Sequence, residues 1–188
     1  MSKPRYFLVA PEVIASATLT SIVAAAAKAG DCACLVVSES IEQSAVQAAQ
    51  DVGLAVLLRN SEPRMMHRVK ADGLHVDKVD ELKDLRTALK SESLGVFANV
   101  SRHVAMEAAE AGADYVAFAQ AHQYAGEPII GWWHEVTDVP VVAFDPVEAK
   151  DLAALLPQKP DFIRPSDVMW QSVEDAKRVI SELTAAMA

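Results

Sequence analysis

The sequence has little of what nucleic-acid-binding and membrane proteins require. It contains 17 basic against 26 acidic residues, for a formal net charge of −9, and no run of more than two basic residues occurs. Nucleic acids and anionic membranes bind a basic face. No stretch is long and apolar enough to span a bilayer. We therefore expect neither nucleic acid nor a membrane as a partner.

Cysteine and aromatic residues are also scarce. The two cysteines, Cys32 and Cys34, lie two positions apart, so on a strand they would share a face, and a disulfide between such near neighbours would be strained. We expect two reduced thiols packed in or near a strand. No cysteine and histidine spacing is typical of zinc.

The amino-terminal stretch lacks the apolar centre of a signal peptide, which predicts a cytoplasmic protein.

One complete strand–helix–strand unit stands out in what the sequence does contain. Residues 94–98 form a short apolar run typical of a buried strand, and residues 115–119 form a second one. Between them, Ser101 is a predicted helix N-cap, and Gly112 lies where a helix end favours a left-handed residue. Two strands joined by a helix are expected to be parallel, with a right-handed crossover.

A repeat indicates how many such units there are. A small residue or proline followed by aspartate precedes alternate predicted strands, at Asp31, Asp72, Asp114 and Asp161, with intervals of 41, 42 and 47 residues. Each interval holds two strand–helix units. The repeat predicts a (β/α)8 barrel, a single domain over residues 1–188, more than the alternative of an open, doubly wound parallel sheet.

In a barrel, functional groups lie on the loops that follow the strands. His122 is the histidine of such a loop, and it is the candidate general acid or base, the alternative being a solvated loop histidine. His75 lies inside a strand, where core packing with one hydrogen bond is expected rather than catalysis. The predicted ligand-binding residues follow strands three to six and eight: Arg59, Asn60, Asp80, Asn99, Gln120, Arg164 and Ser166.

Phosphate binding and subunit contacts each have one candidate region. Barrels that bind phosphate use the turns after strands seven and eight, but residues 144–146 and 164–166 contain no glycine. Arg164 offers a charge-assisted contact there, which Asp145 and Asp167 would weaken. Trp132 and Trp133 are predicted to pack in the core or against a second subunit. The sequence therefore leaves open whether the chain forms a homo-oligomer.

Five sequence blocks carry a resemblance to a known family. They are YFLVA at 6–10, LLRNS at 57–61, ADGLHV at 71–76, LGVFAN at 94–99 and GADYVAF at 112–118. In their spacing they resemble the thiamine phosphate synthase family, which includes the TenI-type thiazole tautomerases. The resemblance implies a (β/α)8 barrel. For the synthases it also implies the joining of a pyrimidine diphosphate to a thiazole phosphate, with magnesium and release of pyrophosphate.

Several positions depart from the pattern that this resemblance implies. Asn60 matches the family's Asn-Asp pair, but Ser61 stands at its magnesium-binding aspartate, and Asp80 falls at the acidic position after ADGLH. Residues 35–39 lack the family's diphosphate-binding cations, and residues 120–127 lack its lysine. Phe97 replaces a serine, and Phe144-Asp145 replaces a glycine pair. Gln120 stands at the tautomerase histidine, with His122 two positions on.

We therefore predict a divergent member of this family. It would bind a small polar ligand, of thiazole or pyrimidine type or phosphorylated, at the carboxyl-terminal face of the barrel, without ordinary synthase activity. One alternative is a retained enzyme of thiamine biosynthesis, either a transferase that uses magnesium or an isomerase that uses His122. The other is a barrel without catalysis that binds a protein partner. The identity of the ligand and the need for a metal stay open.

Overall fold

Eight parallel strands close into a barrel in a computed structural model that describes residues 3–78, 80–119 and 128–188. The strands are β1 (Arg5–Val9), β2 (Cys32–Val37), β3 (Ala55–Arg59), β4 (Gly73–Val76), β5 (Ser93–Asn99), β6 (Tyr115–Phe118), β7 (Val141–Val147) and β8 (Phe162–Pro165). Each strand pairs with the next one in sequence. Arg5 and Tyr6 of β1 pair with Phe162 and Ile163 of β8. This closure confirms the (β/α)8 prediction and excludes the open sheet, which would leave two unpaired edges.

Within the residues described, eight helices alternate with the strands. They are α1 (Ser16–Ala29), α2 (Gln43–Asp51), α3 (Pro63–Val69), α4 (Leu82–Ala88), α5 (Arg102–Glu110), α6 (Ile129–Val136), α7 (Leu152–Leu155) and α8 (Val173–Ala186). Short 3₁₀ turns flank α7 and follow β8, the last at Asp167–Trp170. Within the described part of the chain, no helix is long and apolar enough to cross a bilayer.

The ends of the elements follow local chemistry in most places. The Ser101 hydroxyl accepts a hydrogen bond from the Val104 amide at 3.2 Å, and Gly112 has a φ of +91°, so both helix-end predictions are confirmed. β7 extends through Asp145 to Val147, and Pro146 favours extended backbone at Asp145, the residue before it.

The aspartates of the repeat connect neighbouring strands at the amino-terminal end of the barrel. Three of them accept a hydrogen bond from the first or second amide of the preceding strand, an amide that would otherwise lack a partner. These contacts, of 2.7–2.8 Å, join Asp72 to Val56, Asp114 to Leu94 and Asp161 to Val141. The fourth, Asp31, instead accepts from Arg5 Nε at 3.0 Å. Three of the four aspartates of the repeat therefore make the same structural contact, in which the carboxylate accepts from a backbone amide of the preceding strand.

The core has two layers, one between the strands and the helices and one inside the barrel. Cys32 packs in the outer layer and Cys34 in the inner layer, because the pairing of β1 with β2 shifts its register between Tyr6 and Phe7. The expectation that the two thiols share a face is wrong for that reason. Both thiols are free and buried, as predicted. Burial raises the pKa of Cys32 to about 12.

Candidate functional site

The carboxyl-terminal ends of the strands bring two arginines and two phenylalanines to one end of the barrel. Arg59 ends β3, Phe97 and Phe144 lie near the ends of β5 and β7, and Arg164 lies near the end of β8. Together with Asp77, which follows β4, we call these five residues the barrel mouth. The mouth is where a parallel barrel places its functional groups.

One corner of the mouth is a hydrogen-bonded cluster of Arg59, Asn60 and Asp77. Arg59 Nη2 lies 3.2 Å from Asp77 Oδ2, and Asn60 Nδ2 donates to the same oxygen at 2.9 Å. The Asp77 amide donates in turn to Asn60 Oδ1 at 2.9 Å. Asn60 has a φ of +47°, a backbone conformation that asparagine tolerates better than most residues. The cluster holds the Asp77 carboxylate in place and offsets the charge of Arg59.

A second ion pair joins Arg164 of β8 to Asp167, which follows the strand. Arg164 Nη2 donates to both carboxylate oxygens of Asp167, at 2.8 and 2.9 Å, and its guanidinium carbon lies 5.2 Å from the centre of the Phe144 ring. Only 17% of the Arg164 side chain is exposed. Asp167 opens the 3₁₀ turn after β8, the place where many barrels bind phosphate. Here a carboxylate takes that place and engages the nearby cation.

Aromatic rings fill the barrel below the ion pairs. The Phe97 and Phe144 ring centres lie 4.7 Å apart, and the His75 ring lies nearly parallel to Phe144, at 5.3 Å. The Tyr115 ring is also nearly parallel to His75, at 5.8 Å. These contacts join β4, β5, β6 and β7 across the barrel interior. The mouth therefore has an aromatic floor.

His75 belongs to this floor as a neutral core residue. It is fully buried, its Nδ1 lies 2.8 Å from the Tyr115 hydroxyl, and its Nε2 has no hydrogen-bond partner among the residues that the structure describes. Burial lowers the pKa of His75 to about 4, so the ring is uncharged at neutral pH. The prediction of core packing with one hydrogen bond is confirmed.

The other predicted site residues lie around the rim of the barrel or outside the residues that the structure describes. Asn99 ends β5 with a φ of +53°, and its carbonyl accepts from the Ala119 amide at 2.9 Å. Asp80 is exposed in the turn before α4. Ser166 lines a cavity of about 270 Å³ that faces α8. Gln120 and His122 lie outside the described residues, so their ligand-binding and catalytic roles stay predictions.

Four residues of the site were not selected from the sequence: Asp77, Phe97, Phe144 and Asp167. Side chains alternate along a strand, and His75 points into the barrel, so Asp77 two residues on could have been placed at the mouth. The contact of Phe144 with Phe97 left no such signal, because the two residues lie on strands that are not neighbours. Asp77 and Asn60 also line a cavity of about 520 Å³ beside the mouth.

The residues at the mouth do not fit the magnesium ion that the family resemblance implies. A magnesium site needs carboxylate oxygens that are free to bind the ion, and Asp77 is already engaged by Arg59 and Asn60. Among residues 3–78, 80–119 and 128–188, no group of three or more histidine, cysteine or acidic side chains could hold a metal.

Comparisons with known proteins agree with the sequence blocks. No protein-family model matches the chain. Thiamine-phosphate synthase of Erythrobacter litoralis is 35% identical over 70% of this chain, and the match spans 66% of that relative's length. Thiamine-phosphate synthase of Rhodospirillum centenum is 27% identical, with 100% of this chain and 99% of the relative covered.

Solved structures show the same barrel. The thiamine phosphate pyrophosphorylase of Pyrococcus furiosus superposes with a TM-score of 0.78 at 16% identity, covering 97% of this chain and 95% of that one. A 3-hexulose-6-phosphate synthase gives a TM-score of 0.72 at 15% identity, covering 96% and 99%. At these identities the structures show the fold alone. The similarity in sequence to curated synthases adds the family: this chain belongs to the thiamine phosphate synthase-like family of (β/α)8 barrels.

Proposed function

We propose that this barrel binds a small heteroaromatic ligand of thiazole or pyrimidine type at its mouth and does not join two such rings. The observation that carries the proposal is the contact of Phe97 with Phe144, with ring centres 4.7 Å apart. Both residues stand where the family resemblance places a serine and a glycine. Aromatic rings offer a flat ligand a stacking surface, and Arg59 and Arg164 offer hydrogen bonds at its edge.

The two ion pairs of the site, Arg59–Asp77 and Arg164–Asp167, argue against the ordinary synthase reaction. Release of pyrophosphate needs cations that stabilise the charge developing on the leaving group. Arg59 and Arg164 are the cations of the mouth as defined above, and each is held by a carboxylate, Asp77 or Asp167. A diphosphate that contacts either arginine would lie beside the carboxylate paired with that arginine, which repels it. A ring can still stack on the aromatic floor while both ion pairs stay formed.

Binding can be tested by isothermal titration with the aminopyrimidine alcohol, the thiazole alcohol and their phosphate esters, with and without magnesium. We expect heat from at least one ring compound. The Phe97→Ala variant should weaken that binding by about two- to tenfold, the range of one lost aromatic contact. Val13→Ala is the control, because Val13 is 90% exposed in the loop after β1 and makes no part of the floor. Absence of heat from every ring compound would refute the proposal.

Turnover can be tested separately. The chain is incubated with the pyrimidine diphosphate, the thiazole phosphate and magnesium, and released pyrophosphate is measured. We expect no release above the rate without protein. A turnover on the order of 1 s⁻¹, within the usual range of enzymes, would show that the synthase reaction is retained and that the paired arginines do not prevent it.

A further inference from the structure

The charge of the loops around the mouth bears on which ring compounds it takes. We consider the segments that follow or end the strands: 10–15, 38–42, 59–62, 77–78, 80–81, 99–101, 145–148 and 164–167. They contain ten carboxylates, Glu12, Glu39, Glu42, Glu62, Asp77, Asp80, Glu81, Asp145, Glu148 and Asp167, and three cations, Arg59, Lys78 and Arg164. Because these segments hold more carboxylates than cations, the rim repels anions and raises the local concentration of cations.

The two arginines do not reverse this balance, because both are engaged. Both carboxylate oxygens of Asp167 accept from Nη2 of Arg164, at 2.8 and 2.9 Å, in a charge-assisted contact. Asn60 holds Asp77 beside Arg59 through two hydrogen bonds. A phosphate group entering the mouth would lie close to the Asp77 and Asp167 carboxylates, which repel it.

The floor favours the same class of ligand. Phe97 is half-buried and packs against the inner core of the barrel. The face of a phenyl ring carries partial negative charge, which attracts cations and tolerates neutral rings. Arg164 already uses this property on Phe144. A phosphate ester brings negative charge to a surface where both the floor and the rim disfavour it.

We propose that the mouth selects unphosphorylated heteroaromatic rings, neutral or cationic, over their phosphate esters. This inference rests on the proposed ring-binding function and narrows it to one class of ligand. The ring lies against Phe97, and its polar substituents accept hydrogen bonds from the arginines or donate them to the rim carboxylates. The ion pairs Arg59–Asp77 and Arg164–Asp167 remain formed in the complex.

The test compares each alcohol with its monophosphate ester by isothermal titration at low and at physiological salt. We expect the aminopyrimidine alcohol or the thiazole alcohol to bind about tenfold more tightly than its ester, or 1.4 kcal/mol. The preference should shrink as salt screens the rim. Esters that bind as tightly as the alcohols, or more tightly, would overturn the preference and leave ring binding intact. Failure of all four compounds to bind would overturn both.

A charge variant tests the cause of the preference. Asp167→Asn removes the partner of Arg164 while keeping the size of the side chain, so it should tighten ester binding about tenfold, the worth of one charge-assisted contact. Asp51→Asn is the matched control, because Asp51 ends α2 and bonds Gln47 there. Its ester affinity should equal that of the unchanged protein. An Asp167→Asn protein that folds normally, by circular dichroism, and gains no ester affinity would contradict the account.

Discussion

At the scale of single residues, His75 shows how the barrel interior restricts chemistry. The ring is fully buried between Phe144 and Tyr115, and one of its nitrogens meets the Tyr115 hydroxyl. A protonated imidazole at this position would carry a charge inside an aromatic layer, where the loss of water outweighs the attraction of the Asp77 carboxylate. The histidine of the ADGLHV block is therefore a neutral packing residue, as the sequence predicted.

The burial of His75 predicts that the fold loses stability in mild acid. The pKa of His75 is about 4 in the folded chain against 6.5 in the absence of its surroundings. As pH falls below 6.5 the unfolded chain takes up a proton that the folded chain does not, so this contribution to stability is complete above pH 6.5 and declines toward pH 4. The loss amounts to about 3 kcal/mol at pH 4.

Urea unfolding at several pH values between 4 and 7.5 measures this loss. The His75→Leu variant should lack that part of the pH dependence, since it has no ring to protonate. His67→Gln is the control, because His67 is exposed on α3, and this variant should keep the full slope. Equal slopes in the His75→Leu protein and the unchanged protein would show that His75 is not the source.

At the scale of elements, the strands are joined at one end by the repeated aspartates. Asp114 accepts from the Leu94 amide at 2.7 Å and also meets Arg86 Nη1 at 2.9 Å. Its replacement by alanine leaves a strand amide unpaired, which costs about 1–3 kcal/mol. Asp31→Ala removes only an exposed ion pair with Arg5, worth about 0–1 kcal/mol. Chemical denaturation of both variants should show the larger loss for Asp114→Ala, and the reverse order would contradict the role of the repeat.

The pairing of β5 with β6 depends on a glycine. A Cβ atom added at Gly95 would lie 1.8 Å from the Tyr115 ring, so the ring or the strand must shift. We expect Gly95→Ala to destabilise the fold by at least 1–3 kcal/mol, the usual cost of overpacking. Gly131→Ala is the matched control, because no described atom beyond its own helix backbone and chain neighbours lies within 4 Å of that Cβ. Within α6 the alanine should add about 1 kcal/mol, and thermal unfolding should move the two variants in opposite directions.

At the scale of the whole molecule, the sequence was sufficient for the architecture and only in part for the site. The spacing of Asp31, Asp72, Asp114 and Asp161 predicted a closed barrel, because a structural residue that recurs at every second strand leaves a repeat in the sequence. The positions of Arg59, Asn60 and Arg164 followed from the order of strands and loops. These features are local in sequence or periodic along it, so a single chain reveals them.

Other features depend on how distant strands align, which no local pattern records. Phe97 and Phe144 meet across the barrel from β5 and β7, and Cys32 and Cys34 separate because of one register shift. The sequence indicated only that Asp167 would weaken a phosphate contact at Arg164, and not that these two residues form an ion pair. The structure adds that both Asp167 oxygens accept from Arg164 Nη2 and that the guanidinium lies over the Phe144 ring.

The most direct test of ring binding at the mouth is a crystal structure of the protein soaked with the aminopyrimidine alcohol. The account predicts density for the ring against Phe97 and Phe144, with the Arg164–Asp167 pair still formed. A ring bound instead in the cavity of about 340 Å³ that Lys3, His134 and Lys159 help to line at the other end of the barrel, with no ring at the mouth, would contradict it.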